Sequence, residues 1–224
     1  SKKDFGITPA EIYQAYTGDG GLHGLSRSDF SSYHAYAEAK KEMEQGQFFT
    51  PPALCEFLVG IIQPGPHDLV ADLTCGMGNF FNFVPVESHA FGCDLDMKAV
   101  KVAKYLYPEA NIECTDIRLY DPGVKFDVIF GNPPFNLRWD YNNKRYLSQL
   151  FYCLRAHELL NPAGFLALVV PCSFLNDDFS DSGMIEMMNE RFSYVLQLDL
   201  PADAFKVYGI EEYRTKIMVF QKRS

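Results

Sequence analysis

The stretch DLVADLTCGMGNF, residues 68–80, decides the fold class of this chain. Its first six residues are mainly apolar and predict a short buried strand. The strand runs into Gly76-Met77-Gly78, and a Gly-x-Gly turn between a first parallel strand and a helix lets the backbone approach a ligand closely. A nicotinamide-binding fingerprint needs a third glycine near position 81, where this sequence has Phe81. The pattern therefore predicts an α/β fold with a ligand site after the first strand, and it disfavours a nicotinamide oxidoreductase.

Two further units of the same kind follow. The strand predicted at residues 90–94 ends in Asp94, which is placed to bind the ribose hydroxyls of a nucleoside. Asp96 is the predicted N-cap of the next helix, residues 97–106. The strand at residues 111–114 leads into Asp116 and Ile117. Because the carboxyl ends of parallel strands meet at one edge of a sheet, we expect these acids to line one ligand.

The fourth predicted strand, residues 126–130, stops abruptly in Gly131-Asn132-Pro133-Pro134-Phe135. Two consecutive prolines fix φ twice, remove two backbone donors and keep the preceding residues out of the helical region. The turn is therefore stiff. The carboxamide of Asn132, the nearby backbone carbonyls and the ring of Phe135 converge on one place, which suits a flat group that bears an amine.

Asn-Pro-Pro-Phe resembles the catalytic motif of the amino-group methyltransferases that use S-adenosylmethionine. The order of motifs over about residues 46–221 resembles the gamma-class N6-adenine DNA methyltransferases, including the modification subunits of type I restriction systems. Gly46, Phe49, Thr50 and Pro51 match the family segment that folds over the methionine part of the cofactor.

The resemblance implies a Rossmann-like methyltransferase fold, with a seven-stranded, mostly parallel sheet whose last strand is antiparallel. Residues 1–45 are the expected helical N-terminal lead, and residues 46–224 the expected catalytic domain, apparently without a target-recognition domain. We expect strands at residues 165–171, 194–200 and 215–221, helices at 146–160 and around 183–190, and a polar surface loop at 136–146.

The resemblance also implies residue roles. Asn132 and the Pro133 carbonyl accept the two N–H bonds of the target amine, Pro134 stiffens the turn, and Phe135 stacks on a flipped base. The cofactor residues implied are Phe49, Thr50, Pro51, Asp72, Thr74, Gly76, Gly78, Asp94, Leu95, Asp116, Ile117 and Asn132. Substrate-binding residues are expected in the polar loop and a late motif, namely Phe135, Arg138, Trp139 and Phe205. S-adenosylmethionine is the expected cofactor, with S-adenosylhomocysteine as product.

Composition bounds the environment of the protein. The chain has 224 residues, 47% of them hydrophobic, and a formal net charge of −9. The acidic balance argues against a surface that grips nucleic acid everywhere, so DNA binding would need a local basic patch or a separate DNA-recognition domain or subunit. The sequence contains no 18-residue apolar run, which argues against a membrane span. Six scattered cysteines without a CxxC pair predict a reduced, cytoplasmic protein without zinc.

Several alternatives stay open at this stage. The same turn chemistry serves cytosine N4, a protein glutamine or a ribosomal RNA guanine, although the Phe-Phe-Thr-Pro-Pro lead and Phe135 favour adenine in DNA. A catalytically silent module that binds S-adenosylmethionine or DNA is a second alternative. Restriction–modification, anti-restriction and epigenetic control are all biological roles compatible with these residues.

Overall fold

The computed structural model describes residues 8, 11–12, 27–36, 39, 49–141, 143–176, 182–206 and 214–224. Most of the predicted helical lead lies outside these residues. Within it, Thr8 and Glu11 exchange the two bonds of a helix N-cap, with Thr8 Oγ1 accepting from Glu11 N at 3.2 Å and Glu11 Oε2 from Thr8 N at 2.7 Å. A short 3-10 turn, Arg27–Asp29, follows. The division at residue 45 stays a prediction.

The described residues contain nine strands. In chain order they are β1 (Val70–Asp72), β2 (Ala90–Asp94), β3 (Asn111–Cys114), β4 (Phe126–Gly131), β5 (Arg138–Tyr141), β6 (Lys144–Leu147), β7 (Leu160–Pro171), β8 (Phe192–Asp199) and β9 (Thr215–Lys222). Seven of them form one sheet in the order β3-β2-β1-β4-β7-β9-β8. The pairs on the β3-to-β7 side are parallel, and β9 is antiparallel to both its neighbours. This confirms the predicted sheet.

Helices cover both faces of the sheet. They are α1 (Pro52–Ile62), α2 (Met97–Leu106), α3 (Ser148–Leu159) and α4 (Ser182–Arg191). On β4, Val128 and Phe130 pack in one apolar cluster with α1 and α2, whereas Ile129 packs in a second cluster with α3 and α4. Successive side chains of a strand point to opposite faces, so the continuous apolar runs in the sequence are those of strands buried on both sides.

The prediction of a polar surface loop at residues 136–146 was wrong. The larger part of this stretch is an antiparallel ribbon, in which Trp139 of β5 pairs with Tyr146 of β6. The aromatic side chains of this stretch alternate with charged ones, and the rings of Trp139 and Tyr141 lie edge-on to Phe151, at 5.5 and 5.1 Å. An isolated two-stranded ribbon is only marginally stable in water, and the packing of these rings against α3 stabilises this one.

Element ends also differ from expectation. Helix α1 begins at Pro52, with Pro51 as its N-cap residue and without a capping side chain. Helix α3 begins two residues later than predicted. Strand β7 begins at Leu160, five residues early, and its register with β4 shifts between the Phe126–Leu160 and Val128–Phe165 pairs. None of the described helices is long and apolar enough to cross a membrane.

Candidate functional site

A cavity opens at the carboxyl edge of the parallel strands, at the ends of β1, β2, β3 and β4. Of the residues predicted from the sequence, those that line it are Phe49, Thr50, Asp72, Thr74, Gly76, Asp94, Leu95, Asp116, Ile117, Asn132, Pro134 and Trp139. The fold therefore brings three strand-end loops, the segment Phe49-Thr50 (the lid segment) and the Asn-Pro-Pro-Phe turn to one cavity. Pro51, Gly78, Pro133, Phe135, Arg138 and Phe205 do not line it.

The end of β1 carries a buried acid. Asp72 is 4% exposed, and its Oδ1 accepts a hydrogen bond from Thr74 N at 3.0 Å and lies 3.2 Å from the Tyr152 hydroxyl oxygen. Burial outweighs these contacts and raises the pKa of Asp72 to about 7. Next to it, the buried hydroxyl of Thr74 has no hydrogen-bond partner among the described residues. A polar ligand group in the cavity would satisfy it.

The acid at the end of β2 holds the glycine loop in place. Asp94 Oδ2 accepts from Gly76 N at 2.8 Å, and Asp94 Oδ1 accepts from Asp96 N at 2.8 Å. Desolvation raises the pKa of Asp94 in spite of these bonds. Asp96 itself caps α2 by accepting from Lys98 N at 2.8 Å, as predicted.

A side chain is excluded at Gly76 and at Gly78 for different structural reasons. At Gly76, with φ +51°, a Cβ would lie 3.0 Å from the ring of Phe49, so the lid ring packs directly over the loop. At Gly78, with φ +78°, a Cβ would lie 2.7 Å from Phe81. Gly78 therefore allows the loop to pack closely against Phe81, and neither residue lines the cavity. Asn79, which the sequence analysis did not single out, ties lid and loop together through Nδ2 and Thr50 O, 2.8 Å apart.

The acid that follows β3 is in an ion pair. Both carboxylate oxygens of Asp116 contact the guanidinium of Arg118, and Oδ1 also accepts from Arg118 N at 2.8 Å. The side-chain hydrogen bond from Arg118 lowers the pKa of Asp116. Arg118 also lines the cavity. Sequence analysis missed it, although a cation two residues after a candidate adenine-binding acid was a visible signal.

The Asn-Pro-Pro-Phe turn is anchored from several sides. Ser148 Oγ, at the start of α3, donates to the Pro134 carbonyl. Gln149 exchanges two bonds with Asn136, Asn136 N to Oε1 at 3.2 Å and Nε2 to Oδ1 at 3.1 Å. Upstream, the rings of Phe80 and Phe130 stack at 5.2 Å. The glycine loop after β1 and strand β4 are thus packed against each other.

Two aromatic residues with predicted roles at the base lie in the apolar core. Phe135 is 5% exposed and Phe205 is 2% exposed, and both belong to the cluster that also contains α1 and α2. Arg138 is exposed on β5, outside the cavity. The base-stacking and substrate roles of these residues stay predictions, and Trp139 is the predicted substrate residue that faces the cavity.

The cysteines are free thiols. Four of the six are buried, and desolvation raises the pKa of Cys75, whose residue lines the cavity. A protonated thiol is a poor nucleophile. Within the described parts of the chain, no group of three His, Cys, Asp or Glu side chains is arranged to hold a metal ion.

Residues 32–222 match the protein family described as N-6 DNA Methylase. Among curated proteins, the chain is 30% identical over 158 residues to Modification methylase CviBIII of Paramecium bursaria Chlorella virus NC1A, covering 62% of this chain and 41% of that protein. The chain spans about half the length of the curated relatives it matches.

Solved structures share the fold. A modification subunit of a putative type I restriction enzyme from Vibrio vulnificus YJ016 superposes with a TM-score of 0.66 at 18% identity, over 96% of this chain and 50% of that one. A putative class I S-adenosylmethionine-dependent methyltransferase from Listeria monocytogenes superposes with a TM-score of 0.64 at 15% identity, over 100% of this chain and 83% of that one.

Proposed function

The chain belongs to the N-6 DNA methylase family, and from this premise we propose that it transfers a methyl group from S-adenosylmethionine to the exocyclic N6 amine of a flipped adenine in DNA. One observation carries the proposal. Asn132 and Pro134 of the Asn-Pro-Pro-Phe turn line the same cavity as the three strand-end acids Asp72, Asp94 and Asp116.

The cavity lining fits the proposed cofactor. Asp94, at the end of β2, would accept from the ribose hydroxyls, and Asp116 with Ile117 would take the adenine ring. Asp72 and the unsatisfied hydroxyl of Thr74 offer acceptors to the methionine part, beneath Phe49 and Thr50 of the lid. When bound, S-adenosylmethionine supplies a methyl group on a positively charged sulfur.

The turn would activate the target amine. The lone pair of an exocyclic amine is delocalised into the base ring, which makes the nitrogen a weak nucleophile. The Asn132 side-chain oxygen and the Pro133 carbonyl would accept its two N–H bonds. These bonds strengthen as the nitrogen becomes tetrahedral, so they stabilise the transition state more than the ground state. The stiff, anchored turn supplies orientation as well.

Recognition of the DNA sequence is proposed to need protein outside this chain. The chain spans about half the length of the curated relatives it matches, and a structural neighbour is a modification subunit of a putative type I restriction enzyme. The net charge of −9 offers little general attraction for phosphates. A DNA-recognition domain or partner subunit would bring the substrate.

The test is methyl transfer from labelled S-adenosylmethionine to unmethylated DNA, with the products identified as nucleosides by mass spectrometry. N6-methyladenine supports the proposal, and N4-methylcytosine would retain the mechanism but change the base. Bound cofactor without any DNA product would point to a protein or RNA substrate or to a missing recognition partner. Failure to bind S-adenosylmethionine would refute the proposal.

A matched pair of variants tests the turn. Asn132→Ala should lower transfer by at least about a hundredfold, because one acceptor for the amine is lost, and leave cofactor affinity within about threefold. Asn82→Ala removes an exposed carboxamide outside the cavity and should behave as the wild type. Unchanged transfer by Asn132→Ala would remove Asn132 from the mechanism.

A further inference from the structure

A buried hydroxyl lies between the cofactor loop and the catalytic turn. The Tyr152 side chain extends from α3 and is fully buried in the cluster beneath the sheet. Its oxygen accepts from Leu73 N at 2.9 Å and contacts Phe130 O at 2.5 Å and Asp72 Oδ1 at 3.2 Å. A phenol has one proton, and the short contact to the Phe130 carbonyl is its best acceptor geometry.

The hydroxyl stands where a direct bond between two strands would otherwise form. Asp72 of β1 is paired in parallel register with Phe130 of β4. Continuing that ladder by one residue would set Leu73 N–H against the Phe130 carbonyl. Tyr152 takes both groups instead, Leu73 N as its donor and Phe130 O as its acceptor. The two strands are therefore bridged through one oxygen atom at the point where they separate.

This is the topological switch point of the sheet. β1 has β2 on one side and β4 on the other, and the strand order reverses there. Open parallel sheets bind ligands in the crevice at that place. The residue after Leu73 is Thr74 of the cavity wall, and the residues after Phe130 are Gly131 and Asn132.

Gly131 shows that the tyrosine and the turn are in close contact. A Cβ at Gly131 would overlap the Tyr152 hydroxyl and lie 2.5 Å from its Cζ. The last residue of β4 therefore rests on the phenol, immediately before Asn132. Any shift of the ring or of its hydroxyl is passed directly to the backbone that carries Asn132.

We propose that Tyr152 is a positioning residue, whose hydroxyl holds the Asn132 turn at its working separation from the Asp72–Thr74 cofactor loop. Tyr152 does not touch the cavity itself, so it acts through the two backbone segments it bridges. The effect on transfer rests on the proposed methyltransferase function, whereas the effect on the turn does not.

The first experiment compares Tyr152→Phe with Tyr120→Phe in the complete chain. Both remove the hydroxyl of a buried tyrosine in the same apolar cluster, but it is the Tyr152 hydroxyl that contacts Leu73 N and Phe130 O at the ends of β1 and β4. At saturating S-adenosylmethionine, Tyr152→Phe should lower transfer by roughly ten- to a hundredfold, because small misplacements of reacting groups are costly. Cofactor affinity should change by less than about threefold, and Tyr120→Phe should transfer normally.

Hydrogen exchange read by mass spectrometry supplies a measurement that needs no methyl acceptor. In Tyr152→Phe, the peptide that covers residues 127–138 should exchange faster than in the wild type, while the peptide that covers β9 should not change. A wild-type protein without any transferase activity would defeat the proposed function but leave this comparison decisive. Unchanged exchange in the turn, or an equal increase in both peptides, would overturn the positioning role.

Gly131→Ala approaches the same contact from the other side. The added methyl should push the turn away from Tyr152, with a loss of transfer similar to that of Tyr152→Phe. If both act by displacing one turn, the double variant should lose little more than the worse single variant. Fold-losses that multiply would mean that Tyr152 and Gly131 act independently, and would contradict the proposal.

Discussion

The acids at the ends of β1 and β2 have pKa shifts opposite to that of the acid after β3, although all three line one cavity. Desolvation raises the pKa of Asp72 to about 7 and raises that of Asp94, whereas Arg118 lowers the pKa of Asp116. Asp72 and Asp94 lie where the sheet and its loops exclude water. Asp116 follows a strand at the sheet edge and has a cation beside it. The same residue type at equivalent strand ends is thus tuned in opposite directions.

The difference indicates two uses of a carboxylate. Asp94 fixes the backbone of the loop, since it accepts hydrogen bonds from Gly76 N and Asp96 N. Asp72 is a buried acceptor, and ionising it costs free energy unless a cation binds beside it. Asp116 is already ionised and paired, so its charge is available only by exchange with Arg118. Variants that remove each acid or its neighbour should therefore differ in kind and in size.

The largest effect is expected for Asp94→Ala. It removes the acceptor of two loop amides, so the free energy of unfolding should fall by about 1–3 kcal/mol. S-adenosylmethionine should bind roughly a hundredfold more weakly, since the glycine loop and the ribose acceptor are lost together. Calorimetric titration and thermal unfolding measure both.

Asp121→Ala is the matched control, because Asp121 is an exposed acid that accepts one backbone bond, from Gly123 N at 3.3 Å, outside the cavity. It should leave binding unchanged. Wild-type affinity in Asp94→Ala would show that Asp94 neither binds the cofactor nor shapes its loop.

A smaller effect is expected from the protonation of Asp72. The ionised carboxylate should bind the cationic methionine part of the cofactor better than the neutral acid. Affinity should therefore rise by up to about tenfold per pH unit below pH 7 and level off above it. Asp72→Asn should flatten this part of the curve, with the contribution of Asp94 remaining. Titration calorimetry from pH 5.5 to about 8 tests this.

Protein stability should show the opposite dependence on pH. The folded pKa of Asp72 lies above its ordinary value of 3.8, so its favourable contribution is complete below that value and is lost as pH rises through about 7. Asp72→Asn should remove that fall in the free energy of unfolding. A cofactor affinity that is independent of pH in the wild type would contradict a buried, titrating Asp72.

The smallest effect is expected for Arg118→Gln. If the adenine amine must share Asp116 with Arg118, removing the guanidinium should strengthen cofactor binding by about threefold, since one partly exposed ion pair is worth under about 1 kcal/mol. The pKa of Asp116, followed by NMR, should move up toward its ordinary value. Arg145→Gln, which breaks the exposed pair with Asp140 outside the cavity, is the control. Weaker binding would show that Arg118 itself holds the cofactor.

The strand-end acids could be predicted because their placement follows from local patterns. An apolar run that ends in an acid or a Gly-x-Gly turn predicts both a parallel strand and its carboxyl end, and such ends share one edge. Asp94 and Asp116 were located in this way, Asn132 by the stiff proline turn, and Asp72 by the family resemblance. The structure brings all four to one cavity.

Residues that act at a distance along the chain escaped prediction. Tyr152 is one of several apolar and aromatic residues on α3, and nothing in its neighbours indicates contacts 79 and 80 residues away. The polar stretch after the turn forms a ribbon because its alternate aromatic rings pack against Phe151. Phe135 and Phe205 share one apolar cluster although 70 positions separate them in the sequence.

The order of motifs in the chain therefore determined the fold class, the cavity edge and the residue types that face it, because hydrophobic period and turn chemistry are local properties. Tertiary structure decided the electrostatic state of each acid and the separation of the turn from the cofactor loop. A pKa depends on how much water the whole fold excludes and on which charges it brings near. The separation depends on one phenol oxygen that α3 places between two strands.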